Sequence, residues 1–266
     1  MKHYRYFRTL GRVGLLAAVS ALFFMAMPGK GQAEEGAGVE ALDWSFNGPF
    51  GVFDQAQLQR GYKVFREVCA ACHSMDLVAF RNLAEEGGPG FTPEQVKVIA
   101  SEFEVEDGPN DDGDMFNRPA IASDRFPSPF PNEQIARLAN GGALPPDLSV
   151  LAKARAGGAD YIYALLMGYE EAPAGVELAV GMTYNTSFPG HQIAMPPPLF
   201  DDSVEYDDNT EASLDNHARD VAAFMMWAAE PKLNARHEMG FKVILFLIIF
   251  AGLLYATKRK VWASVH

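Results

Sequence analysis

Two apolar blocks bracket the chain, and helical periodicity recurs between them. Val13 to Met27 is apolar behind a basic start, and Val243 to Ala256 is an uninterrupted apolar run of 14 residues. Leu58, Tyr62, Phe65, Cys69 and Cys72 recur at helical spacing, which predicts a helix that delivers both cysteines to one side. Tyr161-Ile-Tyr-Ala-Leu-Leu-Met167 reads as an apolar helix. Val221, Phe224, Met225 and Ala228 make a stripe along a helix over 218–229. Phe188 to Leu199 cannot be helical past Met195, because Pro196, Pro197 and Pro198 impose an extended course.

The outer blocks predict membrane business. A basic n-region to Arg12, the apolar block and Gly31-Gln32-Ala33 before Glu34 read as a secretory signal over 1–33. An uncleaved anchor is the competing reading, but the run is short for a span. A mitochondrial presequence fits less well, since the apolar block is long and serine scarce. The C-terminal run alone makes roughly 21 Å of helix. Extension to 237–257, with Lys242 snorkelling, gives a transmembrane anchor. Lys258-Arg259-Lys260 then predicts a cytoplasmic tail over 258–266. A periplasmic domain over 34–236 lies between.

Composition narrows the classes. At 48% hydrophobic and 21% charged, the chain is neither largely disordered nor a polytopic membrane protein. Its formal charge of −12 is unevenly placed. Between Glu34 and Phe241, 13 basic side chains face 34 acidic ones, a net of −21. That excludes nucleic acid as the natural partner and would steer a basic protein towards the body. Two cysteines exclude a disulfide framework and a four-cysteine zinc site.

Those two cysteines form Cys69-Ala-Ala-Cys72-His73. The spacing lets two thiols add to the vinyl groups of one haem while His73 reaches the iron. A thioredoxin-like pair needs no following histidine, and zinc would want a further ligand pair. For the sixth iron position Met195 is the preferred ligand, because its proline-rich loop can hold a thioether rigidly. Met182 and then His191 are the alternatives. His/Met ligation raises the reduction potential relative to two histidines and suits an electron carrier.

With the haem motif, the proline-rich methionine loop and the tail anchor in this order, the chain resembles the cytochrome c1 family. Ala139-Asn-Gly-Gly-Ala-Leu-Pro-Pro-Asp-Leu-Ser149, Gly158-Ala-Asp-Tyr161, Gly190 to Pro198 and Trp227-Ala-Ala-Glu-Pro231 carry the resemblance. It implies a mainly α fold: a class I cytochrome c-like domain with long loop insertions and one C-terminal transmembrane helix. It implies one covalently bound haem c, attached at Cys69 and Cys72 and ligated by His73 and Met195. Arg155 and Tyr161 match residues that meet the haem propionates. It further implies a bacterial inner-membrane protein, single-pass, with its haem domain on the periplasmic side. The implied partners are a cytochrome b subunit, a Rieske iron–sulfur protein and a basic soluble or tethered cytochrome c.

Two acidic runs could recruit that cytochrome. Glu102–Asp114 has seven acids and Asp201–Glu211 six, although such runs are as often solvated loops. The rival functions are a free-standing tethered electron shuttle and a haem sensor. The first would want a flexible linker before the anchor, the second a displaceable sixth ligand.

Overall fold

The computed structural model describes residues 39–264. The signal expected over 1–33 and the last two residues of the expected tail lie outside them. Seven α-helices are described: α1 (Gln55–Glu67), α2 (Pro93–Ser101), α3 (Glu133–Ala139), α4 (Leu151–Ala154), α5 (Ala159–Met167), α6 (Leu214–Ala229) and α7 (Leu233–Val261). Two small antiparallel pairs join them: β1 (Glu104–Asp107) with β2 (Phe116–Pro119), and β3 (Thr183–Tyr184) with β4 (Gln192–Ile193). The remainder is loop and 3₁₀ turn, so the mainly α expectation holds.

Short polar residues start the helices where the pattern turns apolar. Asp54 accepts from the backbone N–H groups of Ala56 and Gln57 at the head of α1. Thr92 and Gln95 form a capping box on α2, whose first residue is Pro93. Ser213 caps α6 through the N–H of Asn216. Each such cap is worth about 1 kcal/mol, since it satisfies donors that the helix leaves open.

The core is the crossing of α1 and α6. A Cβ at Gly61 would lie 2.0 Å from the carbonyl oxygen of Asp220, so only glycine lets the two helices approach this closely. Around the crossing Tyr62, Phe65, Phe80, Phe126 and Phe224 touch ring to ring, and Trp227 packs on Phe224. All six are buried; each contributes about 1.5–3 kcal/mol by leaving water. Arg60 reaches over the crossing to Asp220, which is 2% exposed, with Nε–Oδ2 at 2.7 Å. Loss of Arg60 would strand that carboxylate in the core, at a cost of about 3–5 kcal/mol.

Beyond α1 and α6, the core reaches α4 and α5, which also pack on α6. The entering chain is tied to α5 by Asp160, which accepts from Leu42 N at 3.0 Å and from Trp44 Nε1 at 2.6 Å. At the other end, α6 stops at Ala229 and α7 begins at Leu233, leaving only residues 230–232 between them. Glu230 pairs there with Lys153 and Arg236, and Lys232 with Glu85. The anchor expected over 237–257 thus lies inside a longer helix whose first turn belongs to the body. Leu233 is 4% exposed, Asn234 Oδ1 accepts from Phe53 N at 3.1 Å, and His237 Nδ1 lies 2.8 Å from Gly51 O. From Phe241 onward the residues of α7 are exposed, and its apolar stretch is wholly unburied.

The acidic run Glu102–Asp114 is an arm rather than a bare loop. Glu104 to Asp107 form β1, registered against Phe116 to Pro119.

Candidate haem site

The helix expected to carry both cysteines ends too early. α1 stops at Glu67, and Cys69–Ala71 is a 3₁₀ turn in which Cys72 N and His73 N both donate to Cys69 O, at 3.1 and 2.9 Å. The tighter turn folds the motif back on itself, so Cys69 is half-buried while Cys72 is exposed. Burial pushes the Cys69 thiol up to about 12, reinforced by Cys72 beside it.

His73 follows with its ring aimed by Pro146, from the stretch 139–149 that carries the family resemblance. Its Nδ1 lies 2.8 Å from the carbonyl oxygen of Pro146. A carbonyl can only accept, so Nδ1 carries the proton and Nε2 presents its lone pair. Burial holds the imidazole below its usual range, against the opposing pulls of Pro146 and Asp147. The neutral, ligating form is therefore the stable one.

The loop that supplies Pro146 is itself clamped. Asp147 accepts from Ser74 Oγ and Asp76 N through one oxygen, and from Ser149 N through the other, all at 2.8 Å. Ser149, fully buried, receives Leu77 N at 3.0 Å. These contacts stitch residues 146–149 to the strand of chain just after His73. Burial alone would raise the Asp147 carboxyl, but its hydrogen bonds override this and hold it below its ordinary value.

Met195 sits two residues beyond β4, half-buried, with its backbone carbonyl accepting from Tyr169 Oη at 3.2 Å. The preceding hairpin is pinned to the end of α5 by Asn185, which is completely buried. Its Nδ2 donates to Leu165 O at 2.8 Å, and its Oδ1 accepts from Ser187 N and Phe188 N. After the three prolines, Leu199 is buried. The ring nitrogens of His217 on α6 then lie 3.2 and 2.9 Å from the carbonyls of Phe200 and Val204. Met195 is thereby held from both sides.

The other two sixth-ligand alternatives are placed differently. Met182 is exposed ahead of β3. His191 turns the hairpin at φ 58°, stacks on Tyr184, and has its Nδ1 3.2 Å from Asn185 O. Its ring serves its own hairpin.

Arg155 and Tyr161 come together on the α4–α5 side. Burial raises the Tyr161 hydroxyl, partly offset by the positive charge of the nearby Arg155 guanidinium. Burial also raises the Tyr169 hydroxyl, with Tyr161 nearby adding to the shift. Tyr169, in turn, is the residue that bonds the Met195 carbonyl. Pro146 and Asp147 lie in the stretch 139–149 that carries the family resemblance, where Asn140 to Pro146 resembles the family's haem-edge loop, but their contacts with His73 and Ser74 were not read from it; Tyr169 and Asn185 were not singled out from the sequence. Only Asp147-Leu-Ser149 carried a local sign, that of a side chain bonding its own backbone two residues on.

The donor set suits a haem c: two thiols on one turn, an imidazole with its second nitrogen occupied, and a thioether on a braced loop. Comparison with known proteins agrees. Residues 44–265 match the model of the Cytochrome C1 family. The chain is 47% identical to cytochrome c1 of Rhodospirillum rubrum, over 94% of its own length and 97% of that protein. It is also 47% identical to the mitochondrial "Cytochrome c1, heme protein" of Schizosaccharomyces pombe, over 95% and 81% of the two chains. Identity reaches 51% with "Cytochrome b/c1" of Bradyrhizobium diazoefficiens, where the match covers 94% of this chain but 39% of that longer protein. At such identity along nearly the whole of a bacterial relative, the chain belongs to the cytochrome c1 family, the haem subunit of the bc1 complex that carries electrons without being a catalyst alone.

Proposed function

We propose that this chain holds one covalent haem c through Cys69 and Cys72, with His73 and Met195 as axial ligands and Arg155 and Tyr161 at the propionates. It accepts electrons from a Rieske iron–sulfur protein, beside a cytochrome b subunit, and passes them to a basic soluble or tethered cytochrome c. The haem, when bound, supplies a reversible one-electron change at iron; the protein supplies potential, orientation and a docking face. Pro146 keeps the His73 proton on Nδ1, and Tyr169 steadies the Met195 backbone. Arg155 offers a permanent charge to a carboxylate.

The observation that carries this reading is the His73–Pro146 contact directly after Cys69 and Cys72 on one turn. The fusion named cytochrome b/c1 supports a cytochrome b neighbour. Location follows the same reasoning: an exported body over 34–236 behind a signal over 1–33, in a bacterial inner membrane. The body faces the periplasm, and the tail 258–266, rich in Lys and Arg, remains in the cytoplasm. A free-standing shuttle is disfavoured, because the three residues before α7 are braced by ion pairs and give no swing.

The test is haem-linked peroxidase staining after denaturing electrophoresis, together with recovery from solubilised membranes. The stain should follow the band and vanish in Cys69→Ala/Cys72→Ala, and a b-type cytochrome and an iron–sulfur protein should co-purify. A stain that survives the double substitution overturns the attachment, and recovery alone overturns the partners.

A further inference from the structure

The residues just before the apolar span form a groove of about 360 Å³ between α7 and the loop 48–52. Phe50 and Val52 from the loop and Phe241 and Lys242 from the helix line it, together with the polar Asn234, His237 and Glu238. Phe50 is 74% exposed and Phe241 56%, yet their rings meet edge to face at 6.1 Å. Two large apolar side chains thus pair with each other and turn their remaining surface outward.

The loop is not loosely placed. His237 and Asn234 bond the backbone at Gly51 and Phe53. Gly51 admits no side chain, since a Cβ would lie 2.3 Å from Asn47 O. Phe50 and Val52 therefore ride rigidly on the first two turns of α7.

Their depth follows from the helix. Phe241 and Lys258 are 17 residues apart, roughly 26 Å of helix, close to the roughly 30 Å of a hydrocarbon core. With Lys258 at one polar boundary, Phe241 falls at the other, and Phe50 beside it is at the same level. From Phe241 the unburied apolar surface of α7 continues towards Lys258. At that level the medium is the glycerol and upper acyl region of a lipid leaflet, where aromatic rings are favoured. Lys242, 62% exposed, stands at the polar edge, paired with Glu238 and able to reach a phosphate.

We propose that this groove seats a phospholipid, its upper acyl chain against Phe50, Val52 and Phe241 and its phosphate at Lys242, so that the loop 48–52 is a second membrane contact that sets the tilt of the body over the bilayer. The proposal rests on the reading of α7 as the anchor.

Nitroxide labels on Phe50→Cys and Val52→Cys of the full-length haem protein in phosphatidylcholine–phosphatidylglycerol nanodiscs test it. Leu247→Cys serves as the mid-span reference, Val180→Cys as the aqueous one, and the unsubstituted chain as the labelling blank. Collision with oxygen should exceed collision with a water-soluble nickel chelate at positions 50 and 52, between the values of the two references. Aqueous behaviour at 50 and 52 with a bilayer signal at 247 overturns the proposal and leaves the anchor standing. An aqueous signal at 247 overturns both. In the assembled complex in native membranes, shielding of position 50 from both reagents would mean that a protein subunit fills the groove, and overturns the lipid assignment.

Discussion

The phenolic hydroxyl of Tyr169 lies 3.2 Å from the backbone carbonyl of Met195, which ties the end of α5 to the residue proposed as sixth ligand. The contact holds the backbone and leaves the thioether free. Met195→Leu keeps the volume without a lone pair. It should leave the haem attached, lower the reduction potential markedly and admit carbon monoxide. Tyr169→Phe should do less, since one hydrogen bond is worth about 1 kcal/mol: a small fall in potential with no carbon monoxide binding. Redox titration and carbon monoxide difference spectra distinguish them. A carbon monoxide complex in Met182→Leu, and none in Met195→Leu, would move the ligand to the other side of the hairpin.

Asp147→Asn should weaken the loop that carries Pro146. The parent carboxyl titrates below its ordinary value of 3.8 once folded. A depressed carboxyl adds stability above the unfolded pKa and loses it as pH falls through the folded one. The gap between parent and variant should therefore be full at neutral pH and close below about pH 4. Urea unfolding followed by haem absorbance at several pH values measures it; a gap independent of pH would mean that the charge is not what holds the loop.

The two acidic runs should respond differently to neutralisation. In the second, Asp208 and Asp207 pair with Arg60 and Lys63 at 2.9 Å each, and Asp201 accepts from Leu214 N. In the arm, Glu102 pairs with Arg66 and Asp107 with Arg118. Glu104, Glu106, Asp111, Asp112 and Asp114 have no ion-pair partner among the described residues. Changing these five to amides should leave the melting temperature within a few degrees of the parent. It should also slow reduction of a basic cytochrome c and flatten its salt dependence, since unpaired surface charge acts on association rate. Stopped-flow rates across ionic strength decide; an unchanged slope would place the docking charge elsewhere.

Where the body ends can be tested by truncation. A chain stopped after Glu238 keeps Leu233, Asn234 and His237, and should be a soluble domain that retains haem. A chain stopped after Glu230 loses a buried leucine and two hydrogen bonds, together about 3–5 kcal/mol. Chemical denaturation should show the second fragment to be the weaker by that amount. Equal stability would mean that the first turn of α7 adds nothing to the body.

What the amino-acid order determined alone is what acts through neighbours in the chain. Cys69, Cys72 and His73 are joined by spacing, the prolines after Met195 forbid helix on the spot, and the apolar run in α7 is a property of consecutive residues. The family resemblance rests on such short stretches, and with it came the mainly α fold. The tertiary structure decided what acts through space. The acidic arm is a hairpin because Glu104–Asp107 finds Phe116–Pro119. Gly61 is needed because α6 crosses there, which no pattern around residue 61 reveals. Pro146 contributes a carbonyl that every residue possesses, so its role at His73 has no sequence signature. Tyr169 and Asn185 are likewise ordinary polar residues until folding brings Met195 and Leu165 within reach. Even the motif's own conformation was settled this way: periodicity carried α1 through the cysteines, but the helix gives way to a 3₁₀ turn at Cys69. Periodicity records which side chains share a face, and it is silent on where the backbone hydrogen bonds tighten.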